Sequence, residues 1–420
     1  MSATLRAGAP PDTAGPAGAP VDLLAAWRPG GFLMERRGTG IVTAGELRRI
    51  EVTAGSGQAS RAALIADDAL AGLGIEDAVV IAALPFRGDV AARLVIPERI
   101  TVTSISPREL DLGAGDARRA AKTGAPPAGI AVRVSPMRWQ AEPPAAAYRE
   151  AVAEALSRIR AGELEKVVLT RALASANPGI NLAALLAELR RRDPECHLFA
   201  APVDEEGAFL GASPETLLRR EGDRVVSLPH AGTAARWPDD PSRDQEAAEA
   251  LVRSAKNQHE HAAVVDAVAE TLTPHCTKLR VDAEPHLVAT ATVWHLATTV
   301  RGRLRPSAPS ALALAAALHP TPAVCGTPAD VAGALIARLE PASRGLYSGL
   351  VGWVDGRGDG EWAVSLRCAL ITRATVRIHA GAGIVAESRP DLEVAETEVK
   401  FRTIVDALEA CAETAGRAPA

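Results

Sequence analysis

Apolar and polar positions change their spacing along the chain, and each change marks a candidate element. Apolar runs at 78–84, 91–96 and 100–105 are short and bounded by turn residues, which predicts strands and connections forming one flank over residues 21–140. Pro126-Pro127 and Pro143-Pro144 bracket a boundary, after which apolar positions recur at helical spacing over 148–161. Val167-Val168-Leu169 predicts a strand ending at Thr170-Arg171, followed by a helix over 182–192 and strands about 197–201 and 209–211. The longest helical pattern, 244–272, has Asp244 as its cap and Pro274 as its stop. Further strands are expected at 290–294, 350–354, 362–370 and 375–379, and a final helix over 392–409. In GWVDGRGDGEWAVSLR a Gly/Asp turn separates two runs rich in Val and Trp, the pattern of a hairpin. Hairpins mixed irregularly with helices favour α+β layers over a regular βαβ array.

Length and composition narrow the class. With 420 residues, 47% of them hydrophobic, the chain can bury a large core. We expect one large domain over 21–415, preceded by a disordered Pro/Gly-rich leader over 1–20 that lacks a hydrophobic signal core. A formal net charge of -5 with mixed signs offers no basic field for nucleic acid. No apolar run approaches the roughly 20 residues that a membrane helix needs, so a cytoplasmic location is expected. Cys196, Cys276, Cys325, Cys368 and Cys411 show no CxxC spacing, which predicts reduced, mostly buried thiols rather than a disulfide framework or a zinc site.

Lysine usage adds a pointer to chemistry. Only Lys122, Lys166, Lys256, Lys278 and Lys400 stand among 41 arginines. Where Arg is the general-purpose cation, a retained Lys invites a special role, because an ammonium can lose its proton when desolvated and a guanidinium in practice cannot.

Each candidate motif has an ordinary explanation beside it. Lys166 stands directly before an apolar strand, where a solvated lysine is commonplace. Glu215 in FLGASPE comes after a strand that ends in small residues, and it would serve equally as the first-turn acid of a short helix. His259-Glu260-His261 is not a zinc pair, since two histidines separated by one residue on a helix point about 200° apart. Lys256, Asn257 and Glu260 do share one helix face, which is also what an exposed polar stripe looks like. GAGIVA at 381–386 matches a dinucleotide turn, but Ser388, Arg389 and Pro390 interrupt the helix that such a turn would need directly after it; its amides can still hold a carboxylate. Glu393, Glu396 and Lys400 share a face of the last helix, where Glu396–Lys400 pairing is the ordinary reading. Two carboxylates there can instead share a hard cation with Glu260, since Mg²⁺ takes one or two protein carboxylates and completes its shell with water and substrate oxygens.

Taken together, EKVVLTR, FLGASPE, LPHAGTAAR, SAKNQHEH, WHLAT, HPTPAVCG, YSGLVGW, GEWAVSLRCA and HAGAGIVAES…ETEVK occur in the order found in chorismate-utilising enzymes. They most resemble the isochorismate synthases of siderophore pathways. The resemblance covers about 145–410, the expected catalytic core, and the N-terminal part more faintly. It implies an α+β (α/β) fold of two large antiparallel sheets packed together with helices outside, and a monomer. It makes Lys166 the general base acting on water and Glu215 the general acid for the departing C4 hydroxyl. Glu260 and Glu396 would be direct Mg²⁺ ligands, with Glu393 reaching the metal through water; Asn257 stands where relatives often carry an acid. Tyr347 and Arg367 would grip the pyruvyl carboxylate, with Gly232, Thr233, His295, Ala323, Gly381 and Lys400 completing the substrate pocket. Ala235 departs from the more usual double-arginine ending of its motif.

Residue identity also separates the relatives. Anthranilate-forming enzymes typically have glutamine where Lys166 stands, and aminodeoxychorismate-forming ones a lysine where Ala231 stands, so water is the expected nucleophile. A salicylate synthase, which goes on to eliminate pyruvate, is the nearest alternative, and Ala323-Val324 looks more like the synthases that stop at isochorismate. A nicotinamide-dependent oxidoreductase using GAGIVA is the competing class, to be recognised by NAD binding. A non-catalytic chorismate binder would have no need of both Lys166 and Glu215. The chemistry asks for an amine kept neutral and a carboxyl kept protonated at one pH, each contributing ~10²–10⁴-fold.

Overall fold

Strand alternation sorts the apolar side chains onto two faces, and two sheets result. The computed structural model describes residues 21–103, 137–204 and 207–415; the expected leader, Pro126-Pro127 and the end of the 100–105 run lie outside them. A ten-stranded sheet carries, in spatial order, Gly326–Thr327, Lys166–Ala176, Thr375–Ile384, Cys368–Ile371, Gly207–Ser213, His197–Asp204, Leu33–Arg36, Thr39–Ala44 and Arg99–Thr103, with Gln140–Glu142 also on Lys166–Ala176. A nine-stranded sheet runs Cys276–Val281, Val300–Leu304, Arg224–Leu228, Thr216–Glu221, Gly360–Val364, Leu350–Asp355, Val79–Leu84, Ala92–Ile96 and Arg48–Val52. The neighbouring strands pair antiparallel, as in Thr375–Ile384 against Lys166–Ala176 and Leu350–Asp355 against Val79–Leu84.

Met34, Phe199, Ala201 and Phe209 face Val79, Ile81, Val95 and Val351 across the gap between the sheets. Their neighbours Leu33, Leu198, Ala200 and Leu210 point the other way, onto helices Leu182–Arg192 and Pro390–Ala415. On the second sheet Val80, Ala82 and Leu84 meet Ala62, Ala66 and Leu70 of helix Gln58–Leu73. Each fully buried Leu or Phe contributes about 1.5–3 kcal/mol, so the period-two pattern specifies register as well as stability. The two packed antiparallel sheets and outer helices are those the resemblance implied.

Several elements differ from expectation. The 244–272 pattern is two helices, Pro241–Arg253 and Ala255–Leu272, because extended Ser254 breaks the first and caps the second by accepting from the Asn257 N–H. Asp240 is the first helix's cap, while Asp244 is buried against Arg236, Trp237 and Trp294. Residues 290–292 form a turn between His286–Ala289 and Val293–Ala297, which join His230–Ala235 in a third, three-stranded sheet. GAGI at 381–384 is not a turn; it pairs along Val167–Thr170 inside the ten-stranded sheet. The run at 362–370 breaks into two strands on different sheets, and the break falls at the site. The five cysteines are free and buried, as expected.

Candidate functional site

Two chain passages between the sheets lie side by side. Strand Gly207–Ser213 leads through Pro214 and Glu215 into Thr216–Glu221 of the other sheet, so no helix comes after Glu215. Strand Gly360–Val364 returns through residues 365–367 into Cys368–Ile371. Arg367 makes that turn with φ 49°, a left-handed conformation that costs a non-glycine residue ~1–3 kcal/mol and is characteristic of functional positions. The passages are laced together: the Val364 N–H donates to the Glu215 carbonyl at 3.2 Å, and the Ala212 N–H to the Arg367 carbonyl at 3.1 Å. A third anchor is the Ser213 hydroxyl, which donates to the Val364 carbonyl at 2.5 Å.

A cavity of about 310 Å³ opens beside them. Its walls gather Glu215, Gly232, Thr233, Glu260, His295, Ala323, Tyr347, Arg367, Gly381, Glu393, Glu396 and Lys400. Lys256 and Asn257 join Glu260 there, so the shared helix face is a wall rather than a solvated stripe. Of the residues expected at the site, Lys166 alone is not a wall residue. Its side chain is buried behind Glu260, with Nζ 2.8 Å from Glu260 Oε1 but off the hydrogen-bonding direction. His259-Glu260-His261 splits as helical geometry requires: Glu260 lines the cavity while His261 is buried against the Thr298 hydroxyl at 2.7 Å.

The strand that carries Lys166 is held from below. The Arg344 guanidinium donates to the Val168 carbonyl at 2.7 Å and the Val324 carbonyl at 2.8 Å, and its partner Glu340 accepts from the Thr170 N–H at 2.8 Å. One buried ion pair thus ties Lys166–Ala176 to the Ala323-Val324 wall. Gly383, on the neighbouring strand, leaves room for the Lys166–Glu260 pair: an added Cβ would lie 2.7 Å from Glu260 Oε1 and 3.1 Å from Lys166 Cε. Both contacts are with flexible side chains, so Gly383→Ala should fold normally while displacing the pair. We expect turnover to fall by about 10²-fold, the size of effect an ångström of misplacement produces, with an unchanged melting temperature; steady-state kinetics and thermal unfolding measure the two.

Three of the five lysines sit at this site, each against one of the three candidate metal ligands. Lys166 is on Glu260, Lys256 Nζ is 3.7 Å from Glu393 Oε1, and Lys400 Nζ is 2.5 Å from Glu396 Oε1 and 2.9 Å from the Gly381 carbonyl. Burial pushes the Glu260 carboxyl up, but Lys166, Lys256 and Lys400 outweigh it and hold it below the usual range. Burial, and then Glu396 beside it, push Glu393 up. The donors are all carboxylate oxygens, the chemistry a hard cation selects. Among the described residues no three His, Cys, Asp or Glu side chains converge into a metal cage.

Glu215 behaves oppositely. It is 2% exposed, and burial pushes its carboxyl up to about 8 despite Arg367 and Lys166. His295 is neutral, held well below its usual range by burial and then by Arg367. Arg367 Nη2 lies 3.0 Å from His295 Nε2 and can only donate, so the ring proton is on Nδ1, 3.1 Å from the Gly232 carbonyl and 3.2 Å from the Thr233 hydroxyl. Tyr347 stacks on His379 with ring centroids 5.1 Å apart.

Sequence reading did not single out His230, Ser348, Glu387 or Leu392 as wall residues, and it treated Arg389 only as an interruption. No spacing rule marks His230, Ser348 and Glu387, which come from loops and a strand end brought in by register, while Leu392 stands in the first turn of the last helix.

Residues 118–409 match the family model described as chorismate binding enzyme. The chain is 42% identical over 337 residues to the isochorismate synthase DhbC of Bacillus subtilis, covering 79% of this chain and 80% of that protein. It is 39% identical over 350 residues to the isochorismate synthase EntC of Escherichia coli, covering 83% and 85%. Its fold superposes on the crystal structure of DhbC from Bacillus anthracis with a TM-score of 0.79 at 35% identity, covering 92% of this chain and 98% of that one. The family match over most of the chain, the similarity to these relatives and the shared architecture have one outcome: the chain belongs to the chorismate binding enzyme family.

Proposed function

We propose that this protein is a Mg²⁺-dependent isochorismate synthase that supplies siderophore synthesis. The observation that carries the reading is the contrast between two carboxyls in one cavity: Glu215, pushed up to about 8, and Glu260, held below its usual range by three ammonium groups. One stays protonated near neutral pH and can act as an acid, while the other stays anionic.

Water adds at C2 of chorismate and gives its proton to the Lys166 amine, which would be free to act as a base once a cation replaced its ammonium as the partner of Glu260. The C4–oxygen bond breaks, and the leaving oxygen takes the Glu215 proton. Arg367, fixed by its left-handed backbone and by His295, holds the pyruvyl carboxylate with Tyr347 beside it. Gly232, Thr233, Gly381 and Lys400 wall the ring. Glu260 and Glu396 would hold the cation, with Glu393 in support. A Mg²⁺ ion held there would neutralise the ring carboxylate and stabilise charge delocalised into it. Ala323 and Val324 lie in the wall, and their resemblance to the synthases that stop at isochorismate supports that product here.

Incubation with chorismate and Mg²⁺, followed by chromatography, tests the reading. Isochorismate alone is expected; salicylate with pyruvate would assign a salicylate synthase instead, and unchanged chorismate would reject both. Chelation with EDTA should abolish turnover, and added Mg²⁺ should restore it. Circular dichroism should not change on chelation, because each of the three carboxylates already has an ammonium partner. Unfolding in EDTA would contradict that account of the metal-free protein.

A further inference from the structure

His230 begins strand His230–Ala235 of the third sheet and lines the cavity. It is 5% exposed, and neither ring nitrogen has a hydrogen-bond partner. Buried polar groups in native proteins are nearly always bonded, so a doubly unpartnered imidazole on a cavity wall calls for a ligand. The adjacent imidazole makes the contrast plain. His295, with its ring centroid 5.9 Å away, is bonded through both nitrogens to Arg367, Gly232 and Thr233.

Position tells which part of a ligand would meet the ring. The His230 main chain is close enough to the Glu215 carboxyl to favour its ionised form, and both residues line the cavity, so ring and acid belong to the same end of it. Glu215 Oε1 is likewise buried with no protein partner. A neutral imidazole offers one donor and one acceptor, and a hydroxyl can meet either of them.

We propose that His230 is a specificity-determining residue whose ring hydrogen-bonds the hydroxyl that departs from C4. This rests on the isochorismate synthase reading and deepens it. The proton balance is unchanged: the C4–oxygen electron pair goes to oxygen, Glu215 supplies the proton, and water leaves. The proton that Lys166 gained from the attacking water returns to Glu215 through solvent. His230 neither gains nor loses a proton; it fixes the oxygen's orientation toward the acid.

The test compares chorismate with an analogue lacking the C4 hydroxyl, on the wild type, His230→Leu and His230→Asn. Calorimetric binding needs no turnover, so wild-type protein that binds chorismate without converting it would refute the functional reading while leaving this contrast readable. His230→Leu should weaken chorismate binding about tenfold, the scale of one lost hydrogen bond, and leave the analogue unaffected. His230→Asn, which keeps a donor and an acceptor, should restore part of the loss. Because leucine removes an unpartnered polar group, its melting temperature should equal or exceed that of the wild type. Equal weakening of both ligands would make His230 a shape element only, and undiminished chorismate binding would remove it from the site; either result overturns the proposal.

Discussion

Glu215→Gln is expected to yield a folded protein whose turnover of chorismate is lower by about 10²–10⁴-fold, the range for losing a general acid. The amide fills the same space, but it has no acidic proton to deliver. Two pH signatures separate this from simple damage. In the wild type kcat/KM should fall as pH rises through about 8, where Glu215 ionises. Stability should track the same group. Its folded value lies above the ordinary 4.5, so its contribution is fully present below about 4.5 and is lost as pH rises through about 8. Glutamine cannot ionise, so at pH 9 the variant should melt above the wild type although it is nearly inactive. Chromatographic rates and thermal melts across pH 5–9 measure both, and a variant with wild-type rate would end the assignment of Glu215 as the acid.

Lys166→Ala should cost a similar ~10²–10⁴-fold, with a different signature. The strand that carries it is paired along its length by Thr375–Ile384 and clamped by Arg344 and Glu340, so the backbone does not depend on the lysine side chain. Glu260, however, loses its nearest counter-charge and keeps Lys256 and Lys400 at longer range. The alanine variant should therefore melt somewhat lower, and Lys166→Ala combined with Glu260→Gln should recover that stability without recovering turnover. Small primary amines added to Lys166→Ala should restore part of the rate, because the missing function is a proton acceptor. Retained wild-type turnover in the alanine variant would remove Lys166 from the mechanism.

Much of the site was legible because its signals are local. Helical spacing placed Glu393, Glu396 and Lys400 on one face and Lys256, Asn257 and Glu260 on another, and both faces line the cavity. Lysine scarcity marked all five lysines; 166, 256 and 400 lie at the site, Lys278 is exposed on strand Cys276–Val281, and Lys122 lies outside the described residues. The pairings themselves depend on tertiary register: Lys166 meets Glu260, and Lys256 meets Glu393, across elements distant in the chain. Resemblance named Arg367, but the turn it makes was hidden for a related reason. The run at 362–370 is apolar enough to read as one strand, and only a left-handed residue within it reveals the change of sheet. At Ser254 a cap signal was outweighed by the continuous apolar pattern on either side of it.

The laced passages that carry Glu215 and Arg367 also bear on how this scaffold diversifies. The acid and the guanidinium are stitched to both layers, so shifting either would require the layers to slide past one another. Ala231, Ala323 and Val324, by contrast, are small wall residues outside the two passages. Substitutions there can alter which nucleophile enters or what leaves while the proton donor and the carboxylate grip stay fixed. A seam that resists movement beside walls that tolerate exchange lets one architecture acquire new outcomes by editing the lining alone.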